Sequence, residues 1–193
     1  MNKFSAILWI ALGLFLNTNI QAQAPGLVVQ AGLTTAYAKT SVMTKANQAH
    51  YGWMVGADAR LLDSDLYFII GGQYHSTSFF STSAPNFFGK NDLKVGMGRA
   101  GIGFNILRFT ERISLRSKIV GSINYVLDAP DNGYGVAGFT DINDAYAGGA
   151  TGLGLTIGNL DVDLEFQYGF INAVYKQPNS TFDIWTLMAG FHF

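Results

Sequence analysis

Ten charged side chains stand inside apolar or glycine-rich stretches, and their spacing is the first hint of chemistry. Asp58 and Arg60 alternate with Ala57 and Ala59, and Lys94 and Arg99 flank a glycine-rich segment. Arg112, Arg116 and Lys118 share one parity of RISLRSK, and Asp161, Asp163 and Glu165 share one parity of LDVDLEF. Opposite charges withdrawn from water need partners, because an isolated buried ion is costly. Arg112, Arg116 and Lys118 are therefore expected to meet Asp163 and Glu165 inside the fold, where Gly152, Gly154 and Thr156 leave room. Such a network plugs and stiffens an interior; its alternative use is a narrow proton or ion path.

A second chemistry would be nucleophilic. A serine or threonine hydroxyl needs an imidazole base held in the right tautomer by a third group. In Gln73-Tyr74-His75-Ser76-Thr77-Ser78, His75 and Thr77 share one face of a strand while Ser76 and Ser78 share the other. His75 with Thr77 is the candidate catalytic pair, and no acid follows in phase. His50 and His192 have no companions at metal-ligand spacing, and the chain has no Cys, so no thiolate site or disulfide exists. Gly96-Met97-Gly98-Arg99-Ala100-Gly101 matches a dinucleotide fingerprint, which has meaning only between a strand and a helix. Here strand alternation runs on through Phe104. The acids Asp128, Asp131, Asp141 and Asp144 would offer oxygen ligands to Ca²⁺, but without the D-x-D spacing of a dedicated loop. No cofactor and no metal is assigned.

The elements that position these residues have a period of two. Strands are expected at 27–38, 50–61, 66–76, 92–106, 111–127, 144–157, 160–175 and 181–193. In the seventh, Val162, Leu164, Phe166, Tyr168 and Phe170 oppose Asp161, Asp163, Glu165, Gln167 and Gly169. In the eighth, Trp185, Leu187, Ala189, Phe191 and Phe193 oppose Thr186, Met188, Gly190 and His192. Alternation sustained over this length signals strand. The fourth changes phase: Leu93, Val95 and Met97 lead into Ala100, Ile102 and Phe104, and a β-bulge at Gly98-Arg99 would restore one apolar face. Tight connections at 62–65, 107–110 and 158–159 alternate with long ones, the pattern of an up-and-down barrel with both termini at one end.

Composition narrows the class. Of 193 residues, 49% are hydrophobic and only 13% charged, about half the ~25% charge of a soluble domain. That excludes a disordered chain. Twelve Lys and Arg against 13 Asp and Glu leave no basic surface for nucleic acid. Lys3 followed by the apolar run Ala6–Leu16 and small residues reads as a signal peptide over 1–22, cleaved after Ala22 or Ala24. The mature domain is then 23–193. No later run approaches the ~20 apolar residues of a membrane helix. A hydrophobic, exported chain without such a helix fits an eight-stranded antiparallel transmembrane β-barrel, which places lipid-facing residues at every second position. A soluble lipocalin-like barrel, apolar face inward and binding a ligand, is the alternative.

Mid-strand charges of both signs, Gly- and Ser-rich polar faces and aromatics near strand ends favour the membrane arrangement. The last strand, FDIWTLMAGFHF, resembles the C-terminal insertion signal of bacterial outer-membrane barrels, with Trp185, Leu187, Phe191 and Phe193 in phase. The region 25–193 resembles the small OmpA/OmpX-type barrels. More narrowly, its Gly-rich strands resemble the PorT-like outer-membrane barrel group of Bacteroidota, within the porin family. The resemblance implies the outer membrane of a Gram-negative cell, contact with outer-membrane lipid and lipopolysaccharide, and assembly by the barrel-insertion machinery. It implies a non-enzymatic structural or cell-surface role, with outer loops touching a protein or surface ligand. Phe79, Phe80, Phe87, Phe88, Tyr134 and Phe139 are the loop contact candidates. Similar barrels include lipid A deacylases, whose His and Ser stand two apart on one strand face; here Thr77 occupies that place.

Overall fold

The computed structural model describes residues 26–38, 50–61, 65–77, 93–129, 143–172 and 181–193. The regular elements among them are eight strands: β1 (Gly26–Ala38), β2 (His50–Leu61), β3 (Leu66–Thr77), β4 (Leu93–Thr110), β5 (Ile113–Asp128), β6 (Ala145–Ile157), β7 (Leu160–Gly169) and β8 (Phe182–His192). Each pairs antiparallel with its sequence neighbours, and β1 pairs with β8, so the sheet closes. Closure leaves no sheet edge, the condition for placing strands in hydrocarbon where unpaired backbone groups cost several kcal/mol.

The register fixes the geometry. Following pairs round the barrel from Leu27 through Ala59, Ile70, Ala100, Gly121, Gly149, Tyr168 and Asp183 returns to Tyr37, ten residues further along β1. That stagger, with ~3.3 Å per residue and ~4.8 Å between strands, tilts the strands by about 40° and gives a backbone radius of about 8 Å. Such an interior holds side chains rather than a channel. The tight turns Glu111-Arg112 and Gly158-Asn159 lie at the same end as Gly26 and Phe193, called here the lower rim. Gly158 takes φ +61°, as a two-residue hairpin requires and as glycine does without strain.

The alternation expected in β2, β5, β7 and β8 sorts their side chains as read. Leu33, Ile70, Ile119, Ile123, Leu153 and Leu187 are exposed on the outside, while Asp58, Arg116, Asp163, Glu165 and Thr186 are buried inside. A soluble barrel with its apolar face inward is therefore overturned: the polar face is the enclosed one.

Three local expectations need correction. No bulge interrupts Gly98-Arg99; β4 pairs continuously there, and its register shifts fall at Lys94/Val95, Asn105/Leu107 and Arg108/Thr110. Leu93, Val95 and Met97 consequently share the inward face of Arg99, because that part of the upper lumen is lined largely by apolar side chains. β4 also runs to Thr110, through the segment expected to be a turn. Its two lower irregularities scramble the alternation and leave Ile106, Leu107 and Phe109 all exposed. β7 ends at Gly169, short of the expected 175. Tyr67, Ile69 and Val120 form a small apolar cluster inside the barrel, which makes the Leu66–Gly72 run apolar on both faces.

Candidate functional site

The centre of the barrel holds one unbroken row of alternating charge. Arg99 donates from Nε to Asp58 Oδ1 (3.0 Å) and from Nη2 to Oδ2 (2.8 Å). Its Nη1 donates to both oxygens of Glu165, each at 3.1 Å. Lys118 Nζ bridges Glu165 Oε2 (2.9 Å) and Asp163 Oδ2 (3.3 Å). Arg116 Nη2 bridges Asp163 Oδ1 (2.8 Å) and Asp161 Oδ1 (3.1 Å), and Arg60 Nη2 ends the row on Asp161 Oδ2 (2.6 Å). The order is Asp58, Arg99, Glu165, Lys118, Asp163, Arg116, Asp161, Arg60. The four acids balance the four cations.

Apart from Arg60, at 12%, none of these side chains is more than 7% exposed. Ions so enclosed are tolerated only when each has partners and its remaining bonding capacity is filled. Interior members have a neighbour on both sides. At one end Asp58 also accepts from Gln30 Nε2 (3.0 Å); at the other the Arg60 guanidinium lies 5.4 Å from the Tyr67 ring centroid. Asp161 gains a third donor in Thr156 Oγ1 (2.7 Å).

The row joins β5 to β7 across β6, and small residues on β6 make this possible. A Cβ at Gly154 would run into the Asp163 carboxylate and Arg116 Nη2; one at Gly152 would press on the Lys118 stem. Arg116 and Lys118, but not Arg112, meet Asp163 and Glu165 through the gap expected at Gly152 and Gly154.

Two of the ten expected members lie elsewhere. Lys94 faces outward and pairs with Asp128 (2.6 Å), both side chains substantially exposed. Its neighbours Leu93 and Val95, though apolar, point inward, which turns Lys94 to the outer face. Arg112 sits exposed in the β4–β5 turn, with its backbone N–H on Thr110 Oγ1 (3.2 Å). Gln30 and Tyr67 were not among the expected members, and Thr156, expected only to leave room, donates to Asp161, since nothing in their local pattern separates a network member from any other inward residue.

His75 and Thr77 both point into the lumen near the upper rim, 3% and 5% exposed. His75 Nε2 lies 3.0 Å from Gln73 Oε1, so the ring's partner there is an amide rather than a carboxylate. The pair faces the interior, away from the barrel's outer face. Around it the upper lumen is lined by Ala36, Leu93, Val95, Met97, Phe182 and Ile184. Trp185, Leu187 and Phe193 are exposed on the outer face; the Phe166 and Trp185 rings lie 4.8 Å apart, as do Phe191 and Phe193. Phe79, Phe80, Phe87, Phe88, Tyr134 and Phe139, with Asp131, Asp141 and the signal segment, lie outside the described residues.

A closed eight-stranded barrel, apolar outside and ion-paired within, has the architecture of the small outer-membrane barrels. Among solved structures the chain is similar to Neisserial surface protein A (TM-score 0.54, 17% identity, covering 87% of this chain and 97% of that one). It also aligns with Ail of Yersinia pestis, solved with the heparin analogue sucrose octasulfate (TM-score 0.44, 16% identity, 88% and 100%). A third is OprG of Pseudomonas aeruginosa (TM-score 0.45, 11% identity, 90% and 98%). No protein-family profile matches the chain, and no curated protein does.

Proposed function

We propose that the protein is a non-enzymatic barrel of the bacterial outer membrane, delivered by a cleaved signal peptide. Its plugged lumen serves as a rigid support for outer loops that meet a surface ligand. The observation that carries this reading is the inversion of polarity: apolar side chains ring the outside while four acids and four cations are enclosed. The outer face is a solvent contact suited to hydrocarbon, with aromatics such as Tyr37, Tyr125 and Phe170 exposed toward the upper rim. Outer-membrane lipid and lipopolysaccharide are its surroundings, and the in-phase Trp185, Leu187, Phe191 and Phe193 are the signal for the insertion machinery.

Against a lipid A hydrolase stands the placement of His75 and Thr77 inside the lumen, away from the lipid surface, with Gln73 on the imidazole. The test has four arms. The refolded mature chain should migrate differently unboiled and boiled, and should fold only with detergent or lipid. In a planar bilayer it should pass no steady current. Expression should leave lipid A mass unchanged, while removal of 78–92 and 130–142 should abolish surface binding. Folding in plain buffer would sink the membrane reading, and loss of an acyl chain from lipid A would sink the non-enzymatic one.

A further inference from the structure

Above the ion row the lumen closes on large apolar side chains. Leu93, Val95 and Met97 of β4 stand inward in succession, with Met97 next above Arg99 on the same face. Phe182 and Ile184 of β8 reach the same place from across the barrel. Tyr146 of β6 meets Phe182 edge-on, 5.6 Å between ring centroids. All six are at most 7% exposed. The void between them is about 10 Å³, the room of one water molecule. His75, Thr77 and the Tyr146 hydroxyl are its polar lining, and no acid, lysine or arginine is among the described residues there. With strands tilted by about 40°, Leu93 to Met97 covers about 10 Å of the barrel axis.

The row and this collar treat a passing ion differently. In the row every charged group lies beside an opposite one, so an entering ion meets a counter-charge at each step. The lower end of the row, Arg60, already reaches solvent. In the collar an ion gives up its hydration shell and meets no opposite charge, which is the costlier passage. Water fares little better, since one molecule fits and a continuous file does not. We propose that this collar, rather than the ion row, is the barrier that keeps the lumen closed to ions and polar solutes. The inference rests on the reading of the barrel as plugged, and assigns the plug to β4, β6 and β8. The row then braces the wall beneath it.

Planar-bilayer recording in potassium chloride tests this on three forms of the refolded mature chain. Wild type should be closed. Lys118→Met with Glu165→Gln, which takes one cation and one acid out of the row, should stay closed as well. Met97→Ser with Phe182→Ser, which takes two large side chains out of the collar and leaves the row intact, should show unitary current steps. Unboiled gel migration confirms that each form is folded. If the collar pair does not fold, Met97→Ser and Phe182→Ser are recorded singly and should give smaller steps. A folded collar variant that stays closed overturns the proposal, and so does current through the row variant. Steady current through wild type would overturn the plugged reading and this inference with it.

Discussion

Replacing Lys118 with Met removes the central link of the charge row while keeping most of its stem volume. Lys118 Nζ holds Glu165 at 2.9 Å and Asp163 at 3.3 Å, and all three side chains are at most 6% exposed. Without it the lumen retains four acids against three cations. Glu165 keeps only Arg99, and Asp163 keeps only Arg116. Stripping one partner from a buried pair costs about 3–5 kcal/mol, because the charge left behind is uncompensated. At 1.36 kcal/mol per decade this is a change of about 10²–10⁴ in the unfolding equilibrium. The measurement is urea unfolding from lipid vesicles, followed by the fluorescence of Trp53 and Trp185. Adding Glu165→Gln restores the charge balance and should recover part of the loss, with a coupling of about 1–3 kcal/mol in the double-mutant cycle. Salt should alter it little, since the pairs are shielded from the ~10 Å screening of bulk electrolyte. A Lys118→Met cost below about 1 kcal/mol, or a double variant no better than the sum of the singles, would refute the idea of a dry, interdependent row.

Lys94→Ala and Arg112→Ala should each change stability by no more than about 0.5 kcal/mol in the same assay, because the Lys94–Asp128 pair and the turn are exposed. A loss like that of Lys118 would place them back in the lumen. Gly154→Ala should cost about 1–3 kcal/mol, since its methyl would occupy space held by the Asp163 carboxylate and Arg116; an unchanged urea midpoint would show that the β5–β7 contact bends freely. Ile123→Lys puts a charge at a mid-strand position 69% exposed on the outer face, and should cost about 2–4 kcal/mol in vesicles. If it is harmless there, that face does not meet lipid.

Much of this protein was settled locally. Side-chain direction in a strand has a period of two, so VDLEFQ and WTLMAG sort their residues onto two faces without reference to anything distant. The number of strands, their antiparallel order and the side of each charge in β2, β5 and β7 follow from that, as does the β6 gap at Gly152 and Gly154. The register was not local. The stagger of ten is the sum of all eight pairings: Asp58 and Arg99 stand level across Gly71, and the closed ring brings Arg99 to Glu165 as well. Depth was not local either. An apolar residue on an alternating strand can face lipid or fill an apolar part of the lumen, and the alternation looks the same. Leu93, Val95 and Met97 took the second course, which turned Lys94 outward. Only the assembled interior, charged at its centre and apolar above, distinguishes the two.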